Sequence, residues 1–134
     1  MNIITATPAS NTSELAVMIH DPGYGPEDTF VPRCVIFEGE LVAQASSKAV
    51  SEMIGKALGS FKAGRWQELN LYRTKSGKFI AQRIYRTQRQ GEYDVYEGAV
   101  CENHNQVIDF FGNGWLAKEL YEAVALSTVN CQLV

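Results

Sequence analysis

Apolar positions along this chain change period several times, and each change marks an element. Val50, Met53, Ile54, Ala57, Leu58 and Phe61 recur every three or four residues, which predicts one amphipathic helix over about residues 47–62. Ser46 or Ser47 supplies a cap at its start and Gly64 follows its end. The apolar stripe is read as core, Met53 included, because methionine commonly fills interior gaps. Before it, Leu15–Ile19 and Cys34–Ala43 are apolar and β-branched runs that predict two strands, the second interrupted at Gly39. The run from Asp21 to Asp28 between them, with Pro22, Gly23, Gly25 and Pro26, predicts a loop.

After the helix the pattern becomes that of an antiparallel meander. Trp66–Thr74 and Lys78–Thr87 flank Ser76-Gly77, where glycine suits the positive φ of a tight hairpin. A two-residue turn there sets Thr74 opposite Phe79 and Leu69 opposite Ile84. Alternation then gives one face of Leu69, Leu71, Ile80 and Ile84 and another of Tyr72, Phe79, Arg83 and Tyr85. A third strand, Tyr93–Glu102, with Val95 opposite Ile84, adds Ala99 to the first face and Tyr96 and Val100 to the second. Two short helices follow, broken by Gly112-Asn113-Gly114. Asn103 or Asn105 caps the first and Asn113 the second. The order β-β-α-β-β-β-α-α predicts an α+β fold: a single antiparallel meander sheet of about five strands with helices packed on one face.

With 134 residues, 46% of them hydrophobic, the chain suits one α+β domain over residues 1–134 with its own core and no need of a metal or disulfide staple. Three scattered cysteines, Cys34, Cys101 and Cys131, point to a reducing cytoplasmic setting. The start Met1-Asn2-Ile3-Ile4-Thr5 lacks the pattern of a secretory leader, and no apolar run is long enough for a membrane span. The sequon Asn11-Thr12-Ser13 is discounted on that basis.

Charge changes the picture more than composition does. The net charge of -3 divides into -4 for residues 1–61, +7 for 62–89 and -6 for 90–134. The basic block holds Lys62, Arg65, Arg73, Lys75, Lys78, Arg83, Arg86 and Arg89 against Glu68 alone. Such a block steers anionic partners if it stands exposed; if the acidic flanks fold back on it, it is a neutralised hairpin. Tyr72, Phe79, Tyr85 and Tyr96 beside Arg83 resemble a stacking platform for single-stranded nucleic acid. The favoured alternative is that this face is covered, its aromatics are core, and Arg73, Lys75, Lys78, Arg86 and Arg89 form a rim.

Catalytic constellations are weak. Cys101-x-x-His104 offers two ligands where a zinc site needs four, and Gly112-Asn113-Gly114 lacks the flanking residues of a phosphate loop. Neither a metal nor a cofactor is expected. Glu92, Asp94 and Glu97 do not form a paired-carboxylate site, and cross-strand pairing with Arg83 or Arg86 is their expected role.

Leu71-Tyr72-Arg73-Thr74-Lys75-Ser76-Gly77-Lys78-Phe79, then Gly91–Tyr96 and Leu116–Val124, resemble a group of small bacterial, phage and plasmid proteins. That group is named for a C-terminal Glu-x-Leu-Asp-Ile signature, which Val129–Val134 here does not carry. The resemblance implies a non-enzymatic accessory protein, including inhibitors that occlude a host defence complex. The expected function is therefore protein–protein binding without catalysis, with Arg73, Lys75, Lys78, Arg83, Tyr85, Arg86, Arg89, Glu92 and Glu97 as contact residues and a host protein complex as partner. Nucleic-acid or nucleotide binding by residues 62–89 is the alternative. Exposed sheet edges leave a homodimer open.

Overall fold

The computed structural model describes residues 5–9, 12–21, 32–59 and 64–124. The predicted loop beyond Asp21, the sequon's Asn11, Phe61, Lys62 and Cys131 lie outside the described residues. Nine elements follow in order: β1 (Thr5–Ala9), β2 (Thr12–Asp21), β3 (Arg33–Ser46), α1 (Lys48–Ala57), β4 (Arg65–Thr74), β5 (Phe79–Thr87), β6 (Val95–Cys101), α2 (His104–Phe111) and α3 (Trp115–Ala123). The α+β class stands, with one more strand at the N-terminus than the sequence pattern shows.

The expected open meander is corrected: the sheet closes. Neighbours β1 through β6 pair antiparallel in sequence order, and β6 also meets β2, with His20 opposite Glu97 and Asp21 opposite Tyr96. Strands β2–β6 thus form a small five-stranded barrel, with β1 alongside the first half of β2. Closure depends on β3. Its residues 33–38 pair with β2 and 39–46 with β4, and the register shifts between Leu41 and Ala43. A strand that serves one neighbour with each half turns a corner, which is how small sheets fold over on themselves. Gly98 makes the closing contact close: a Cβ there would lie 2.7 Å from the Ala81 carbonyl oxygen and 2.9 Å from Cγ2 of Ile19.

The hairpin register differs from expectation by one residue. Thr74 N donates to Lys78 O at 2.9 Å and Gly77 N to Thr74 O at 3.0 Å, so residues 75–77 form a three-residue turn with Gly77 at φ 92°. Arg73 therefore faces Phe79, Tyr72 faces Ile80, and Leu69 faces Arg83. The next pair moves likewise, with Ile84 opposite Tyr96 rather than Val95. A shift of one residue exchanges faces. Tyr72, Ile80, Ile84 and Tyr96 come together on the barrel's inner face, where Leu15, Val17 and Ile19 of β2 join Tyr72 and Ile80. Leu69, Leu71 and Ala81 lie on the outer face under α2 and α3, packed with Val107, Phe111, Leu120 and Tyr121.

The interior is not wholly apolar. Gln44 donates to Asn70 Oδ1 at 2.9 Å, Asn70 to Gln82 Oε1 at 2.8 Å, and Gln82 to the Met18 carbonyl at 2.8 Å. This chain of amides spans β3, β4, β5 and β2, and satisfaction of every link is what makes a buried polar network tolerable. No buried side-chain polar atom among the described residues lacks a partner.

Helix α2 starts where expected. Asn103 Oδ1 accepts from Gln106 N at 3.0 Å, while Gln106 Oε1 accepts from Glu102 N at 2.7 Å. The cap of α3 is Gly114, one residue beyond the expected Asn113. No described helix is long and apolar enough to cross a membrane.

Candidate functional site

Helix α1 departs most from expectation. The described part of the stripe read as core, Val50 to Leu58, faces outward: none of its residues is buried, and Met53 and Leu58 are 69% and 81% exposed. The half-buried positions are Lys48, Ser51 and Gly55 instead. Ser51 Oγ donates to the Arg65 carbonyl at 2.9 Å, and the adjoining Ser47 Oγ accepts from Gln67 N at 2.9 Å. Lys48 Nζ sits 5.1 Å from the centre of the Trp66 ring. Small and polar groups thus hold α1 against β4 by hydrogen bonds to its backbone.

Beside this helix runs a trough on the barrel's outer face. Two hollows of about 650 Å³ and about 380 Å³ share Ser47, Ser51 and Gln67. The larger is lined by Arg65, Tyr85, Thr87, Glu92, Tyr93 and Val95; the smaller reaches Val50, Leu69, Arg83, Phe111 and Trp115. Tyr93 and Trp115 are each more than half exposed. Sequence patterning did not single out Trp115 or Tyr93 as contacts. Ser47, Ser51 and Gly55, spaced by four, are the sequence sign that a second face of the helix could pack against the sheet.

Its charges are neutralised locally. Arg65 makes a bidentate pair with Glu92, with Nε to Oε1 at 3.0 Å, and Thr87 Oγ1 donates to the same carboxylate at 2.6 Å. These bonds, that from Arg65 first, hold the Glu92 carboxyl down to about 2 and raise the Arg65 guanidinium. Arg83 Nη1 pairs with Glu97 Oε1 at 2.7 Å, and Tyr85 OH donates to that oxygen at 3.2 Å. The other guanidinium nitrogen donates to the carbonyls of Phe110 and Phe111 at 3.3 and 3.1 Å, so Arg83 caps the C-terminus of α2.

Arg86 points to the opposite, inner face and closes one end of the barrel. It donates to Glu68 at 3.0 Å and to Asp94 at 2.9 Å, and reaches Tyr96 OH at 3.3 Å. Burial pulls its basicity down, but the bonds to Asp94 and Glu68 outweigh this and the group is raised overall. Arg86 is therefore part of an internal network and not of a rim.

The expected contact residues divide accordingly. Arg83, Tyr85, Glu92 and Glu97 gather at the trough, and Arg89 passes over Gly64 nearby. Arg73 and Lys75 line a separate hollow with Gly39, Glu40 and Thr74. Lys75 pairs with Glu38 at 3.2 Å and Lys78 with Glu102 at 3.4 Å. Among the seven described basic side chains of that block, five face carboxylates: Arg65, Lys75, Lys78, Arg83 and Arg86. Those carboxylates come from both acidic flanks and from Glu68. The aromatic platform is not one surface either, because Tyr72 and Tyr96 are buried inside the barrel while Phe79 and Tyr85 lie outside it.

Burial, and secondarily Asp109, pushes the Cys101 thiol up, away from the reactive thiolate form. His104 packs its ring against Phe79, with centroids 5.2 Å apart. Among the described residues no three metal-ligating side chains converge. Gly112 ends α2, its carbonyl accepting from Tyr121 OH at 2.6 Å.

Fold and site together describe a small closed β-barrel with helices on its outer wall and an aromatic trough beside one of them. Comparison with family models, with curated proteins and with solved structures finds no match to this chain.

Proposed function

We propose that this chain is a non-enzymatic protein-binding module whose contact surface is the trough between α1 and the β5–β6 end of the barrel. The observation that carries it is the lining: Tyr85, Tyr93, Trp115 and Val50 stand exposed around a concave surface whose charges are already paired. Exposed aromatics with arginine are what protein interfaces concentrate at their centres. A partner inserting apolar side chains desolvates few unpaired charges there. An accessory protein that occludes a host complex, the role the sequence resemblance implies, requires only such a surface.

Immobilised wild-type chain is compared with Tyr93→Ala and Trp115→Ala variants that melt at the wild-type temperature. A stoichiometric protein partner retained by wild type in high salt and lost from both variants supports the proposal. A partner held equally by all three, or none at all, overturns it.

Direct nucleic-acid binding by residues 62–89 has less support, because five of the cations that would contact phosphate face internal carboxylates. Displacing them would sacrifice ion pairs within the fold.

A further inference from the structure

The two hollows of the trough differ in chemistry. Val50, Leu69, Phe111, Trp115 and Leu116 make the smaller one largely apolar. The larger has aromatic walls in Trp66, Tyr85 and Tyr93, and beside them the Arg65–Glu92 pair. Glu92 takes both ends of the Arg65 fork and so fixes the plane of the guanidinium, yet that side chain stays 61% exposed. A flat cation held beside aromatic rings is a stacking surface for another planar group.

Two further cations stand at the rim. Lys48 rests over the Trp66 ring at 5.1 Å, and Arg89 passes over Gly64, near enough to Glu92 to help hold its carboxyl down. Neither makes an ion pair among the described residues. Since Arg65 and Glu92 neutralise one another, Lys48 and Arg89 give the mouth of the larger hollow an uncompensated positive charge.

A complementary occupant carries negative charge next to a planar apolar group. Acidic peptides and single-stranded nucleic acid both answer that description, and the rest of the trough separates them. The smaller hollow suits a second apolar side chain of an extended peptide. A nucleic-acid strand would instead bring a phosphate with each nucleotide past Glu92 and Glu97. Given the trough as a protein-binding surface, on which the assignment rests, we infer that it takes an acidic peptide segment of the partner. An aromatic side chain of that segment sits in the larger hollow, and its acidic neighbours face Lys48 and Arg89.

The whole chain is used to select from a display library of random peptides. Wild type is expected to enrich peptides that combine Phe, Tyr or Trp with Asp or Glu. Lys48→Gln and Arg89→Gln each weaken the selected peptides about threefold at low salt, an effect that fades as salt screens the rim, and Lys48→Arg keeps the affinity. Tyr93→Ala weakens them about tenfold at any salt, as loss of an aromatic interface contact does. Peptides weakened by Tyr93→Ala but showing no preference for acid, or a preference for Lys and Arg, overturn the acidic segment and leave the trough a protein-binding surface. A library that yields no peptide, while the Tyr93- and Trp115-dependent partner is still retained, does the same. Peptides indifferent to Tyr93→Ala overturn both. An oligothymidylate held more tightly than the selected peptides replaces the peptide with nucleic acid and overturns the inference.

Discussion

Gln82 shows how much a single side chain organises here. It is fully buried, accepts from Asn70 and donates to the Met18 carbonyl, linking β4 to β2 through the barrel's interior. Gln82→Leu keeps the volume and removes both bonds, stranding a buried amide and a buried carbonyl. The expected cost is about 1–3 kcal/mol in denaturant unfolding, and an unchanged midpoint would mean the amide chain contributes nothing. Glu92 makes a prediction in pH. Its carboxyl is held down to about 2 in the fold against an ordinary value of about 4.5, so its contribution is fully present above the unfolded value and is lost as pH falls from about 4.5 toward 2. Wild type should therefore lose more stability than Glu92→Gln across that window in parallel acid titrations. Identical acid profiles would remove the Arg65–Glu92 pair as their cause.

At the level of elements, the closing of β6 on β2 depends on a glycine and the hairpin on a turn. With Gly98 replaced by alanine, the new methyl would have to displace the Ala81 carbonyl or Ile19. Overpacking of this kind costs about 1–3 kcal/mol. Hydrogen exchange should localise the damage to the β2–β6 seam; protection unchanged there would show that the strands can separate without loss. The hairpin was legible as a hairpin, since Gly77 and the alternation on either side announce it. Its register was not. Two- and three-residue turns both accept Ser76-Gly77, and the additional residue, Lys75, is chosen by Thr74, whose hydroxyl accepts from Lys78 N at 2.9 Å. That one residue moves Arg83 beside Leu69 and sends Tyr72 and Tyr96 inside.

For the whole molecule, charges segregated along the chain are brought into local pairs by the fold. The basic block occupies the central strands β4 and β5, while Glu38 stands in β3, Glu97 in β6 and Glu92 and Asp94 in the turn before it. Sequence separation is erased by strand adjacency. Retention on single-stranded DNA should accordingly be negligible even at low salt, where phosphate contacts are strongest. Strong retention that falls steeply with added salt, and that Arg73→Ala with Arg89→Ala abolishes, would reinstate the basic hairpin as a nucleic-acid surface.

Local chemistry was sufficient to define most elements of this protein: periodicity marks helices and strands, Asn103 or Asn105 starts α2, and Gly77 turns the hairpin. Opposite charges also pointed to pairing of Glu92, Asp94 and Glu97 with Arg83 or Arg86, which Glu97 and Asp94 make while Glu92 pairs with Arg65. Tertiary structure alone determined closure, register and the direction in which α1 faces. Each of these depends on contacts between residues far apart in the chain, such as His20 with Glu97 or Ser51 with Arg65. An amphipathic stripe states that a face is apolar; only the neighbours supplied by the folded chain state whether that face turns inward to the core or outward to another molecule.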